Sequence, residues 1–283
     1  MLTGSGSLHK KKTVWNYGKL EESLPQSHTI RTTNNKLYLI KMNTESTLGQ
    51  LSTLKLRAMA EAYQQQLSLP VHQQLDGHQM IAHLAQAELL FRKNERSAGY
   101  LRLARLRQDA YPEKVACSAE RNFSKQQLAE LMQGDYIRSA RPILICGATG
   151  VGKSYLACAL GHHACTQGYK TMYLNMNKFI EKITISKLDG SYLKLLAQVE
   201  KVSLLILDDF GLAPLDTTVK LALLQIIEDR YEKKSFIITS QLPVNSWYDY
   251  INDPSLADAI LDRMTAHAHR IELKGNSLRG KKL

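Results

Sequence analysis

The chain has 283 residues, a hydrophobic content of 44% and a formal net charge of +11. This length allows one large domain and a smaller one, and the hydrophobic content is ample for a buried core. No run approaches about 18 apolar residues and the chain does not begin with an apolar signal-peptide core, so the sequence favours neither membrane insertion nor export. The four cysteines have no C-x-x-C spacing, and we expect reduced thiols in a cytoplasmic protein.

The positive charge is unevenly distributed along the chain. Nearly half of the excess lies in residues 1–42, a stretch that begins rich in Gly, Ser and Lys and that we interpret as a flexible leader or a non-native extension. Local basic patches predict a polyanionic partner, DNA or RNA, although a solvated basic surface would have the same composition. On a helix, Arg102 and Arg105 would share one face and Arg107 would point elsewhere. The candidate DNA-binding residues are Arg92, Lys93, Arg96, Arg102, Arg105 and Arg107.

Helical periodicity and punctuation divide the remainder of the chain into three regions. Residues 43–110 form a predicted helical N-terminal domain, and residues 111–125 form a linker. Ser124 and Gln127 have the spacing of a capping box, which marks the first helix of the C-terminal domain. That domain covers residues 126–283 and ends in a basic tail.

The segment RPILICGATGVGKSY, residues 141–155, contains the pattern G-x-x-x-x-G-K-[ST]. Glycines in this pattern let backbone N–H groups approach phosphate oxygens, Lys153 would reach the β- and γ-phosphates, and the Ser154 hydroxyl would bind Mg²⁺. An apolar run before the loop predicts a strand, and an Ala/Leu-rich run after it predicts a helix whose N-terminus favours anions. The predicted nucleotide-binding residues are Gly147, Ala148, Thr149, Gly150, Val151, Gly152, Lys153, Ser154 and Tyr155.

Strands and helices alternate after this loop. The predicted strands cover residues 143–146, 170–174, 202–209, 235–240 and 269–273. Such alternation predicts an α/β fold with a mostly parallel sheet flanked by helices.

The segment LLILDDF places two carboxylates at the end of an apolar strand. Ligands gather at the carboxyl ends of parallel strands, so these residues should lie beside the phosphate loop. Asp208 is then suited to hold Mg²⁺, usually through water, and Asp209 to orient or deprotonate an attacking water. The combination with Lys153 favours hydrolysis over phosphoryl transfer to a small molecule.

Polar and basic residues further along the chain complete the predicted site. Ser240 and Gln241 end another strand, where a polar side chain can contact the γ-phosphate or the attacking water. Arg263 and Arg279 follow, and an arginine is the residue best suited to charge on transferred phosphoryl oxygens.

Taken together, these residues resemble the AAA+ superfamily and, more closely, the IstB family, the ATPase helpers of insertion-sequence transposition. The matching segments are GATGVGKSYLACALGHHACTQGY, LLILDDFG, EDRYEKKSFIITSQLPVNSW and AILDRMTAHAHRIELKGNSLR, with LKLRAMAEAYQQQL nearer the N-terminus. The resemblance extends from about Thr47 to Arg279. The IstB family is in turn similar to the helicase loader DnaC and the initiator DnaA.

The resemblance implies ATP on Lys153 and Ser154 and magnesium on Ser154 and Asp208. It also implies that Gln241 senses the γ-phosphate. Arg263 would be an arginine finger that reaches the nucleotide of a neighbouring subunit, and Arg279 a second sensor in its own subunit.

Two residues depart from the pattern that many relatives share. Asp209 stands where many have Glu, and its shorter side chain predicts slow intrinsic hydrolysis. Gln241 stands where many have Asn. Arg230 in DRYEKK is an alternative arginine finger, because some AAA+ proteins present theirs from that helix.

The family implies a protein that oligomerises on double-stranded DNA in an ATP-dependent way, deforms it and recruits a transposase. The alternative is a loader similar to DnaC, in which the N-terminal region binds a helicase. A third hypothesis is a P-loop kinase or a nucleotide-binding module without turnover. The basic helical region favours the first of these.

Overall fold

The computed structural model describes residues 44–279. Its helices are α1 (Thr44–Thr53), α2 (Arg57–Leu67), α3 (Gly77–Ala104), α4 (Lys125–Met132), α5 (Asp135–Arg138), α6 (Lys153–Thr166), α7 (Met176–Leu188), α8 (Tyr192–Glu200), α9 (Thr217–Arg230), α10 (Trp247–Ile251) and α11 (Pro254–Thr265). Its strands are β1 (Ile143–Gly147), β2 (Thr171–Asn175), β3 (Leu204–Phe210), β4 (Ser235–Ser240) and β5 (His269–Leu273). The predicted leader, residues 1–42, and the last four residues of the basic tail lie outside this range.

The five strands form one sheet in the order β2-β3-β4-β1-β5, and every neighbouring pair is parallel. The sequence prediction of five strands in a mostly parallel sheet is confirmed. The inner strands β1, β3 and β4 are buried along almost their whole length, as expected of parallel strands covered on both faces. The edge strand β5 instead alternates buried and more exposed residues. The carboxyl ends of β1, β3 and β4 therefore meet at one edge of the sheet.

Two apolar layers hold the helices against the sheet. On one face, Phe210 packs edge to face on Trp247 with ring centroids 4.8 Å apart, and Ile226 of α9 belongs to the same cluster. On the other face, the Ala- and Leu-rich α6 packs on Ile145 and Ile206. A Cβ on Gly161 of α6 would lie 2.7 Å from the Ile206 side chain, so glycine is required for this close helix–sheet contact.

The structure divides the chain at a different place from the predicted boundary at residue 110. Residues 44–55 belong to one compact unit, and residues 56–279 belong to another. The helix α3 contacts α6 and β2, and Ser97 of α3 donates a hydrogen bond to the Thr166 carbonyl. Because α3 buries part of its surface against the sheet domain, α2 and α3 are continuous with that domain.

The segment predicted as a linker has short local structure of its own. Residues 111–125 contain two short 3₁₀ turns, Pro112–Lys114 and Ala119–Arg121. The predicted capping box is confirmed, since Ser124 and Gln127 exchange hydrogen bonds at the start of α4. Among the residues that the structure describes, there is no helix with the length and apolar character needed to span a membrane.

Candidate nucleotide-binding site

The phosphate loop joins β1 to α6, as the sequence predicts. Gly150 and Gly152 have φ angles of +84° and +94°, in the left-handed region that glycine tolerates. A Cβ on Gly150 would also lie 2.2 Å from the Ser277 hydroxyl, so the loop is in close contact with the C-terminal segment. Tyr155 lines the cavity beside the loop.

Lys153 is buried at the first position of α6, with 5% of its surface exposed. Its Nζ donates hydrogen bonds to the carbonyls of Gly147 and Ala148 at 2.8 and 2.9 Å. Burial lowers the pKa of Lys153, and the carboxylates of Asp209 and Asp208 oppose this shift. These bonds use two of the three ammonium donors, so the lysine is held against the loop with capacity for a phosphate oxygen.

Asp208 ends the apolar part of β3 and is fully buried. The Ser154 hydroxyl donates to its Oδ1 at 2.9 Å, and Thr239 of β4 donates to the same oxygen. The hydroxyl of Tyr173 on β2 donates to Oδ2. The adjacent Ser154 hydroxyl and Asp208 carboxylate are oxygen ligands of the kind that Mg²⁺ prefers, so these residues fit a magnesium site.

Asp209 follows with a φ angle of +64°, a conformation that Asp tolerates better than most residues. Its N–H donates to the Thr239 hydroxyl at 3.0 Å, and its Oδ2 accepts from Asn175 Nδ2 at 2.8 Å. Apart from Arg107, which lies near both, the two adjacent carboxylates have different side-chain partners. Asp208 is buried, whereas the Asp209 side chain is 20% exposed, as a residue that acts on water requires.

Gln241 lies against the phosphate loop. Its Oε1 accepts a hydrogen bond from the Thr149 hydroxyl at 2.7 Å, which brings the end of β4 to the tip of the loop. The neighbouring Ser240 is buried and donates to the Phe210 carbonyl. Gln241 is therefore the strand-end side chain available to a nucleotide, whereas Ser240 has a structural role.

The C-terminal segment crosses the phosphate loop and brings Arg279 into the site. The N–H of Leu278 donates to the Gly150 carbonyl at 2.9 Å. Arg279 lines a cavity of about 480 Å³ together with Lys153, Asp209 and Gln241. The structure thus gathers the predicted loop, acidic, strand-end and tail residues around one cavity.

The structure places Arg107 apart from the other candidate DNA-binding residues. Its NH1 lies 3.1 Å from Asp209 Oδ2 and 3.4 Å from Asp208 Oδ2, inside the nucleotide cavity. An arginine that pairs with both carboxylates belongs to this site, and we separate it from the group predicted to contact DNA.

The remaining basic candidates lie on or next to α3. Arg92 is held by Glu88 at 2.8 Å, while Lys93, Arg96 and Arg102 are exposed along the helix. The helix ends at Ala104, and Arg105 adopts a left-handed φ of 52°. The prediction that Arg102 and Arg105 share a helical face is therefore wrong, because the helix stops between them.

Arg263 lies far from the phosphate loop of its own chain. It lines a different cavity with Arg141 and Pro142, which precede β1, whereas the phosphate loop follows β1. Its guanidinium donates to the Ala259 carbonyl and to Glu228 Oε1, at 2.9 and 3.1 Å. Arg263 can therefore reach a nucleotide only if that nucleotide is bound by another subunit.

Arg230 is unsuited to the alternative role of arginine finger. It is 1% exposed, and its guanidinium donates to the carbonyls of Val199, Val202, Ser203 and Ser235. A side chain enclosed by backbone carbonyls cannot reach a neighbouring subunit. Arg230 instead joins the last turn of α9 to the first residue of β4 through hydrogen bonds.

Sequence reasoning did not identify Tyr173, Thr239, Asn175 or Arg121 as site residues. Asn175 is the last residue of β2, Tyr173 lies two residues before it, and Thr239 is the next-to-last residue of β4. These two strands flank β3. Arg121 donates to the Val151 carbonyl in the phosphate loop. Tyr173, Thr239 and Asn175 could have been suspected from the sequence, because they are polar residues near the carboxyl ends of apolar strands. No feature of the sequence pointed to Arg121.

The sheet order, the phosphate loop after β1 and the paired acids at the end of β3 define an AAA+ P-loop ATPase. A solved structure of the replication initiator DnaA bound to AMPPCP and single-stranded DNA is similar in fold, with a TM-score of 0.52, 20% identity and coverage of 61% of this chain and 52% of that one. The DnaI structure gives a TM-score of 0.51 and 17% identity, covering 62% of this chain and 94% of that one.

The chain belongs to the family described as IstB-like ATP binding protein, whose model matches residues 49–283. A relative from Sinorhizobium fredii, the insertion sequence ATP-binding protein y4pL, is 42% identical over 233 residues, which cover 82% of this chain and 95% of the relative. The resemblance identified from the sequence motifs is thereby confirmed. The match to y4pL includes almost the whole length of that relative.

Proposed function

We propose that this chain is an ATP-dependent DNA-binding protein that assists a transposase. Copies of this chain would assemble with one another on duplex DNA. The observation that carries the proposal is the ATP site, in which Lys153, Asp209 and Gln241 line one cavity while the candidate finger Arg263 lies outside it. The insertion-sequence context of the relatives supports a transposase as the partner.

The site residues have distinct roles in the proposed ATPase cycle. Lys153 and the loop N–H groups bind the phosphates, and Ser154 and Asp208 would hold magnesium, which would neutralise negative charge on the phosphates. Asp209 orients the attacking water, and Gln241 senses the γ-phosphate. Because Asp209 is one methylene shorter than Glu and is already paired with Asn175, we expect slow hydrolysis without DNA or a partner.

The position of Arg263 supports the proposed self-assembly. A finger that cannot act on its own nucleotide completes the site of a neighbour, so bound ATP stabilises the contact between subunits. Arg279, on the segment that crosses the phosphate loop, would act within its own subunit.

Exposed basic side chains of α3 support the proposed DNA contact. Lys93, Arg96 and Arg102 are exposed over three turns of the helix, and lysine and arginine at such positions neutralise phosphates without reading sequence. Arg105 is also exposed, directly after the helix. Binding through these residues should be sensitive to salt and tolerant of sequence.

Particle mass in solution tests the proposal. The protein is measured alone and with duplex DNA, each in ATP, ADP and a non-hydrolysable ATP analogue. We expect large particles only when a triphosphate and duplex DNA are both present. A chain that responds to nucleotide but ignores duplex would contradict the proposal and favour a helicase loader similar to DnaC.

A further inference from the structure

Arg107 reaches the ATP site from the end of α3. Its NH1 lies 3.1 Å from Asp209 Oδ2 and 3.4 Å from Asp208 Oδ2, while α3 itself ends at Ala104. One guanidinium therefore connects the helix that carries the exposed basic residues to both acidic residues of the ATP site.

The chain between α3 and Arg107 is short and anchored. Ala104 and Ala110 are buried on either side of it, and Leu106 packs against the same apolar cluster as α6. Arg105, with its left-handed φ, turns the backbone directly after the helix. Only two residues, Arg105 and Leu106, therefore separate Arg107 from the end of α3.

Arg107 uses carboxylate oxygens that a divalent cation at Asp208 would need. Oδ1 of Asp208 accepts hydrogen bonds from Ser154 and Thr239. Oδ2 accepts from Tyr173 and from Arg107.

The partners of Asp208 differ in their freedom to move. Tyr173 and Thr239 are buried in the neighbouring strands, whereas the Arg107 side chain is 48% exposed. A guanidinium and a divalent cation repel each other at short range. Arg107 is therefore the partner that must leave, and has room to leave, when a cation joins the carboxylates.

We propose that Arg107 is a counter-ion switch, which balances Asp208 and Asp209 in the nucleotide-free chain and leaves both carboxylates when the site is loaded with magnesium and nucleotide. Its release changes the anchoring of the end of α3, so the state of the ATP site is communicated to the basic helix. Arg107 is thus a positioning residue. The inference rests on the proposed use of magnesium at this site.

The magnesium dependence of nucleotide binding tests the competition. Binding of a fluorescent ADP analogue is followed over a range of Mg²⁺ concentrations. Arg107→Gln removes the charge, and we expect the half-saturating Mg²⁺ concentration to fall roughly three- to fivefold. This is the change in affinity expected when one partly exposed ion pair no longer competes with the cation. Arg107→Lys keeps the charge and should show a smaller decrease. Arg57→Gln makes the same change at an exposed position of α2 and should keep the wild-type value.

Two outcomes separate this inference from the function proposed above. If the wild type and Arg107→Gln need the same Mg²⁺ concentration, the switch is overturned while the magnesium site stands. If nucleotide binding by the wild type does not depend on magnesium, the proposed magnesium site itself fails, and the switch fails with it.

Hydrogen exchange tests the communication to α3. In the wild type, magnesium with a non-hydrolysable ATP analogue should change the exchange of amides in residues 101–108 and also protect the phosphate loop. In Arg107→Gln, the loop should still become protected while residues 101–108 no longer respond. Retention of the wild-type response at residues 101–108 would overturn the proposal.

Discussion

At the scale of single residues, the ATP site depends on charges that are buried but compensated. Lys153 and Asp208 are both buried, and each has hydrogen-bond partners that come from a different element of the fold. A buried charge is tolerated only with such partners, so the two residues are fixed before any nucleotide binds. Because these side chains are already in position, less conformational entropy is lost when a nucleotide binds.

Lys153→Ala removes the ammonium that is held against the loop carbonyls. Because hydrogen bonds to charged groups contribute about 1.5–3 kcal/mol, we expect ATP affinity to fall roughly 10- to 100-fold. Equilibrium titration with a fluorescent ATP analogue measures the change. Lys182→Ala, on the exposed side of α7, removes a similar charge and should leave the affinity unchanged. Equal affinities for the two variants would contradict the assigned role of Lys153.

Arg230→Ala tests a residue that is structural rather than catalytic. Loss of the guanidinium removes a hydrogen-bond donor from four backbone carbonyls in a buried position, and we expect the free energy of unfolding to fall by about 3 kcal/mol. Urea denaturation followed by circular dichroism measures it. Arg263→Ala, which removes a more exposed arginine paired with Glu228, should cost about 1 kcal/mol or less. A stable Arg230→Ala chain with impaired assembly would return Arg230 to the role of finger.

At the scale of secondary-structure elements, α3 and α11 carry the two proposed contacts with other molecules. The helix α3 presents basic side chains along its exposed surface. The helix α11 presents Arg263 near the residues that precede β1, at the end of the strands opposite the phosphate loop. The basic side chains that these two helices present can therefore be replaced without direct changes to the phosphate loop.

Replacement of both Arg102 and Arg105 by Ala should weaken duplex binding to a similar degree for unrelated sequences. If each contacts one phosphate, the slope of log affinity against log salt should decrease by about 2. Fluorescence anisotropy with two unrelated duplexes at several salt concentrations gives both quantities. The double variant Lys178→Ala, Lys182→Ala on α7 has the same change in net charge. An equal effect in this control would indicate a nonspecific charge effect.

Arg263→Ala tests whether the finger acts between subunits. ATP binding by dilute protein should be unchanged, whereas DNA-stimulated hydrolysis should be lost. Mixing Arg263→Ala with Lys153→Ala should restore part of the hydrolysis, because some interfaces then combine an intact loop from one chain with an intact finger from the other. The neighbouring variant Asp262→Asn should hydrolyse ATP like the wild type. A mixture without recovered activity would contradict action in trans.

At the scale of the whole molecule, the features that could be predicted from the sequence are those that depend on local residue patterns. The five strands, the phosphate loop and the capping box at Ser124 follow from apolar runs, glycine spacing and local hydrogen bonding. Tyr173, Thr239 and Arg107 could not be assigned in the same way. Their role depends on β2 and β4 flanking β3 and on α3 ending beside the sheet, which are long-range properties that a linear pattern does not specify.

The crossing of the phosphate loop by residues 274–279 has a practical consequence for handling the protein. Leu278 is hydrogen-bonded to Gly150, so an affinity tag fused after residue 283 would begin only a few residues from the segment that contacts the loop. Such a tag is expected to perturb ATP binding. Comparison of nucleotide affinity between the tagged and untagged chains would show how closely the tail and the loop depend on each other.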